Sequence, residues 1–175
     1  MACDLTLGRK EPCKDVVGGI KNVYFVDFGD MTLTFDSTDT DVIESVGTSV
    51  ASFKYEVKGN SSLETTITSS RENGTTFYEA TLNVTLTYLD VATQEQIKLL
   101  AHGRPQVVVE DYNGNFFLIG KDHGCEVTGG TIVTGAAMGD LSGFTLVLTA
   151  QETAPPFFCA TGPTDDSGTP IDPTP

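Results

Sequence analysis

The chain has 175 residues, enough for one domain that buries about 70% of its unfolded surface without a disulfide scaffold. Its 24 acidic and 10 basic residues leave a net charge of −14, and a body that acidic repels phosphate, which excludes a nucleic-acid clamp. Thr and Gly are abundant and Trp is absent, the composition of an all-β chain with many turns.

Residues 1–20 read as an irregular arm. Four basic residues, Arg9, Lys10, Lys14 and Lys21, fall within the first 21 positions beside Asp4, Glu11 and Asp15; the rest keeps six basic and 21 acidic residues, a net −15. No apolar signal core follows Met1, and no apolar run approaches the roughly 20 residues that span a bilayer. The expectation is a soluble protein made in a cytosol. The sequons at Asn60, Asn73 and Asn83 then read as chance products of Thr-rich strands.

A first strand is expected over 22–28, with Val23 and Phe25 inward, turned by Gly29-Asp30 into a second over 31–35 bearing Met31, Leu33 and Phe35 on one face. Residues 36–47 are polar and acidic and read as a loop. From 52 to 58, Phe53, Tyr55 and Val57 alternate with Lys54, Glu56 and Lys58, and Gly59-Asn60 turns the chain into a Thr/Ser-rich strand over 63–69. After the turn at Arg71-Glu-Asn-Gly74, Tyr78, Ala80, Leu82, Val84, Leu86 and Tyr88 alternate with Glu79, Thr81, Asn83, Thr85 and Thr87. Period two sustained over that length marks a long strand with one dry and one wet face. The middle of this ribbon, 60–75, is too polar for a monomer core. An isolated ribbon is marginal in water, so something outside the monomer is expected to cover it.

One short helix is expected over 93–102: Thr93 and Gln96 fit a capping box, Ile97, Leu100 and Ala101 share a stripe, and Gly103 suits a left-handed stop. Apolar runs at 105–112 and 116–121 flank Asn113-Gly114, a strong hairpin signal. A strand over 125–133 and a last one over 143–150, with Phe144, Leu146 and Leu148 inward, complete the set. Pro155-Pro156-Phe157-Phe158 closes a domain running from 21 to 158, and 159–175 is a Pro/Asp-rich C-terminal tail. The fold class is mainly β: an antiparallel β-sandwich or barrel with one short flanking α-helix.

Chemistry is hard to assemble from these residues. His102 stands at the helix end and His123 beside glycine, and no hydrolase, zincin or nucleotide fingerprint occurs. Gly130 and Gly135 have phosphate-loop spacing, but Ala136-Ala137 stands where Lys-Ser/Thr is needed. Glu110-Asp111 reads as a solvated acidic edge. Cys3, Cys13, Cys125 and Cys159 form no C-x-x-C pair, and His123-Gly-Cys125 is too sparse for zinc. The thiols read as free, and no enzyme, cofactor or metal site is expected.

Strands, one short helix, then Val107-Val-Val-Glu-Asp-Tyr-Asn-Gly-Asn-Phe-Phe-Leu-Ile-Gly120 and Thr134-Gly-Ala-Ala-Met-Gly-Asp-Leu-Ser-Gly-Phe-Thr-Leu-Val-Leu-Thr149 together resemble bacteriophage tail tube proteins, the β-sandwich family that includes type VI secretion tubes. The resemblance covers roughly residues 20–158. It implies a structural virion protein made in the host bacterial cytoplasm, whose subunits form homohexameric rings stacked into a tail tube. The implied partners are copies of itself, a tape measure protein, a tail terminator and phage DNA passing through the lumen without specific binding; no membrane is involved. The family supplies no catalytic residues.

On this reading Glu56, Glu64 and Glu79, on the polar faces of the ribbon strands, are candidates for the channel wall. Arg9, Lys10 and Lys14 are candidates for an arm that meets the acidic surface of the next ring. The competing readings are a neck, tail-completion or ring protein that does not polymerise, and a capsid-decorating binding module.

Overall fold

A computed structural model describes residues 7–164 except Thr48 and Lys58. The described residues fold into two sheets and one helix. In order the elements are β1 (Ile20–Val26), β2 (Thr34–Phe35), β3 (Val42–Ser45), β4 (Ser52–Glu56), β5 (Ser62–Ser70), β6 (Thr75–Thr87), α1 (Val91–His102), β7 (Gln106–Asp111), β8 (Phe116–Ile119), β9 (Glu126–Val133), β10 (Gly143–Glu152) and β11 (Phe157–Cys159). One sheet has seven strands in the order β2-β3-β11-β8-β7-β1-β4; the other has four, β5-β6-β10-β9. The mainly-β class with a single short helix is as the alternation patterns led one to expect.

The two sheets meet across a core built from alternate residues. Val23, Phe25, Val107, Val109 and Ile119 from the larger sheet pack with Ala80, Leu82, Val84, Leu146, Leu148 and Ala150 from the smaller. Alternation along β6 and β10 is strict, so the residues between these positions face away from the core. The larger sheet behaves differently at its centre. Val108 and Leu118 point to its other face, where they join Ile43, Val46 and Cys159 under Met31, Leu33, Phe35, Phe116 and Phe157 in a second core. Burial on both sides is why β7 reads as a continuous run, Val107-Val108-Val109, instead of alternating.

Several local expectations shift. β1 starts at buried Ile20 and stops at Val26, and the expected second strand shrinks to Thr34–Phe35. The polar stretch 36–47 contains β3, a strand recruited by partners distant in sequence: β2 on one side and, in parallel, β11 on the other. Phe53 is exposed, because it lies on the edge strand β4 at the rim of the core. Lys58 lies outside the described residues. The helix begins earlier than the capping-box reading placed it, because the Asp90 carboxylate accepts the Thr93 N–H at 2.8 Å and is the N-cap. Its inward stripe is buried Thr93 with half-buried Ile97 and Leu100, while Ala101 is exposed. Gly103 ends it in extended, not left-handed, backbone, its N–H shared between the Leu99 and Leu100 carbonyls. Cys159, expected to open the C-terminal tail, is the buried last residue of β11, and Ala160 donates its N–H to Ile43 O. Residues 165–175 of that tail are outside the described set.

The Asn113-Gly114 hairpin forms as its signal indicated, pairing Val107 with Ile119 and Glu110 with Phe116. Asp111 organises its turn: the carboxylate accepts from the backbone N–H and the side-chain amide of both Asn113 and Asn115. Partial burial pushes that carboxyl up, but these donors outweigh it and hold the group below the ordinary aspartate value. Gly114 supplies the positive φ, 81°, that the turn requires.

Candidate functional site

The outer face of the four-stranded sheet follows from strand parity. β5 contributes Ser62, Glu64, Thr66 and Thr68; β6 contributes Phe77, Glu79, Thr81, Asn83 and Thr85. β10 adds Thr145, Val147, Thr149 and Gln151, opposite Thr85, Asn83, Thr81 and Glu79 respectively. β9 adds Glu126, Thr128 and Thr131. Hydroxyls pair across strands, Thr128 with Thr149 at 3.0 Å and Thr131 with Thr145, and Gln151 donates to Glu79 at 2.6 Å. The result is a neutral hydroxyl lattice dotted with Glu64, Glu79 and Glu126. None of these face residues is Lys or Arg, so the carboxylates are not neutralised within the face, and its potential is negative.

Of the three acidic residues singled out from the sequence, the structure brings Glu64 and Glu79 together on this face, as diagonal neighbours: Glu64 is opposite Thr81 and Glu79 opposite Thr66. Glu56 does not join them. It lies on β4, at the far edge of the other sheet, opposite Asn22 and 3.4 Å from the Lys54 ammonium. Alternation within its own strand marked Glu56 as polar-facing but carried no information about which sheet that strand enters. Glu126 was missed because β9 shows no clean alternation; its register shifts between Val147 and Leu148.

Among the described residues both ends of the four-stranded sheet are unpaired edges, β5 with nine residues and β9 with eight. Long edges of this kind offer rows of backbone N–H and C=O groups to another strand. Pairing between β6 and β10 ends at Tyr78 opposite Glu152, so the tip of the β5–β6 hairpin, 68–77, overhangs the rest of its sheet. Ile67, beside that overhang, is 64% exposed.

The N-terminal arm contributes nothing to either core. Residues 7–19 are all exposed, and Arg9, Lys10 and Lys14 take part in none of the ion pairs among the described residues. Its first anchor is Val17, whose N–H donates to Asn113 Oδ1 at 3.0 Å and whose carbonyl accepts from Asn113 Nδ2 at 2.8 Å.

Glu110, expected to be a solvated edge, is instead buried on the outer side of the larger sheet. It accepts from Asn22 Nδ2 at 2.6 Å, Tyr24 Oη at 3.0 Å and Lys21 Nζ at 3.0 Å. Burial raises its carboxyl, but these hydrogen bonds, with the Lys21 charge, more than compensate and leave it below the ordinary glutamate value. The partners come from β1, 86 to 89 residues away in sequence.

His123 faces Glu152 (Nδ1 to Oε2, 3.1 Å), and Glu152 Oε1 also accepts the N–H groups of Asp122 and His123. Behind this loop the Cys125 thiol is pushed up to about 12 by burial and by the Glu152 charge; the Cys159 thiol is pushed up to about 11 by burial. Neither is poised as a nucleophile. Cys3 lies outside the described residues. Among the described residues no three His, Cys, Asp or Glu side chains converge to hold a metal ion, and no helix is long and apolar enough to cross a membrane.

Compared with protein-family models, with curated proteins and with solved structures, the chain finds no match.

Proposed function

We propose that this chain is a structural subunit of a bacteriophage virion, forming homohexameric rings that stack into a tail tube around an acidic channel. The observation that carries the reading is the four-stranded sheet: it ends in unpaired strands on both sides, and one whole face bears carboxylates with no cation. Pairing β5 of one copy with β9 of the next is a heterologous contact that closes into a ring when the rotation permits. Repeated about an axis, it removes every exposed edge of that sheet and places the Glu64, Glu79 and Glu126 face along one continuous wall. A wall of that charge repels a polyanion weakly at every level, so DNA slides without sticking. The overhanging hairpin and the unpacked arm are the segments available to bridge stacked rings.

Negative-stain imaging and mass measurement of the purified protein test this. Stacked rings are the expected product. A monomer that persists at high concentration would overturn it, and single rings that never stack would reassign the chain to a neck or completion role.

A second result concerns the wall itself. Glu64→Lys combined with Glu79→Lys should leave assembly intact, since both carboxylates face away from the core, but should give tubes that retain DNA at low salt. Retention should fall as salt rises, with a slope on logarithmic axes of about 0.9 per phosphate neutralised. Filter binding across a salt series reads this out; variant tubes that ignore DNA at every salt concentration would place these residues elsewhere.

A further inference from the structure

Between the two sheets, at the end where the arm joins β1, a cleft of about 530 Å³ opens to the surface. Its apolar wall comes from three places: Leu63 on the inner side of β5, Val109 on β7, and Phe117 with Phe158 on β8 and β11. The two phenylalanine rings meet at a tilt of 55° with centroids 4.8 Å apart, yet Phe158 remains 53% exposed. The charged group in the lining is Asp111; no Lys or Arg contributes. Val109 closes the floor, and half-buried Leu63 and Phe117 with exposed Phe158 leave apolar surface open to water beside one carboxylate.

The same chain carries an unpacked segment of matching chemistry. Leu7 is 92% exposed and Val16 72%. Over 7–17 the arm has Arg9, Lys10 and Lys14 against Glu11 and Asp15, a net +1, whereas the whole chain is −14. In extended backbone Leu7 and Arg9 share a side, so an apolar group is followed by a cation on one face of the arm. The arm's own root occupies the cleft rim: Val17 to Ile20 line it, and Val17 is held by Asn113. Beyond that fixed point residues 7–16 are all exposed, and none of them lines the cleft.

We infer that the cleft receives the N-terminal arm of a second copy of this chain. Leu7 enters against Leu63, Phe117 and Phe158, and Arg9 approaches Asp111. The inference rests on the self-assembly proposed above and names the receiving surface for the arm. It leaves the β5 edge available for strand pairing, because the cleft lies on the inner side of that strand.

The test uses the full chain with Leu7→p-benzoylphenylalanine, mixed with unsubstituted copies grown on heavy isotopes, irradiated, and mapped by mass spectrometry. Crosslinks from the light arm to heavy peptides containing Leu63, Phe117 or Phe158 are expected. Their yield should fall about tenfold with Phe158→Asp in the heavy copy, the effect of losing one buried aromatic contact. Crosslinks confined within one copy would mean that the arm folds back on itself, and crosslinks to other surfaces would mean a different seat; either overturns the inference. If Phe158→Asp fails to fold, Leu7→Asp is the substitute, because that exposed position cannot disturb the core. Sedimentation should then show association weakened about tenfold, and unchanged association would overturn the inference. Imaging separates this outcome from that of the tube reading. Tubes without crosslinks in the cleft sink the seat alone, whereas cleft crosslinks in a dimer that forms no rings sink the tube alone.

Discussion

Leu148→Ala should lower the unfolding free energy by about 2–5 kcal/mol, the range for truncating a fully buried leucine that leaves a cavity. Leu148 has no exposed surface and sits directly opposite Leu82, equally buried, in the middle of the β6–β10 pair. Neither strand can relax inward readily, since each is held by a ten-pair register, so the site should fall in the upper part of that range. Leu82→Ala should cost a similar amount. Because the two cavities would merge, the double variant should depart from additivity by about 0.5–3 kcal/mol. Denaturant unfolding of dilute, unassembled protein reads these values from the shift in midpoint at constant slope. Additive losses would mean that the two side chains do not share a packing environment, contrary to their register.

Glu110→Ala carries the second large effect. It removes the shared acceptor of Asn22, Tyr24 and Lys21, and Asn22 is itself buried. Leaving a buried polar group without its charged partner costs about 1–3 kcal/mol. Losing Lys21 adds little, because its side chain is 55% exposed and recovers water when its partner is gone. The sign of the pH dependence is set by the direction of the shift. Glu110 sits below the ordinary glutamate value when folded, so its contribution is complete above that ordinary value. It is lost as pH falls through the folded value. Glu110→Gln should therefore flatten the acid limb of the stability curve while retaining part of the hydrogen bonding. An unchanged acid limb in Glu110→Gln would show that other carboxylates, Asp111 among them, dominate acid unfolding.

The long strand β6 was legible because one face meets a core and the other meets water, so its chemistry alternates residue by residue. The Asn113-Gly114 hairpin was legible because the whole signal lies within a few residues. β3 and β11 were not. Val42 and Ile43 are two apolar residues in an acidic stretch, and Phe157–Cys159 follows two prolines; each becomes a strand through partners distant in sequence, the two lying side by side with β2 and β8 on their far sides. Pairing of that kind leaves no periodicity to read. Glu110 was misjudged for the same reason: its partners on β1 are invisible from its neighbours in sequence. The acidic face was half legible. Strand parity correctly put Glu64 and Glu79 on a wet side, but assigning Glu56 to the same wall required knowing which sheet β4 enters.

The parallel pairing of β3 with β11 also sets a timetable. In the sheet order, the β2–β3 unit attaches to the rest only through β11, and Val42 pairs with Phe158. A ribosome adding about 5–20 residues per second needs roughly 6–23 s to travel between them. Throughout that interval β3 has β2 on one side but no strand on the other, and the edge that β11 will fill stays open. Closure of that half of the sheet therefore waits for β11, however early β2 and β3 leave the ribosome.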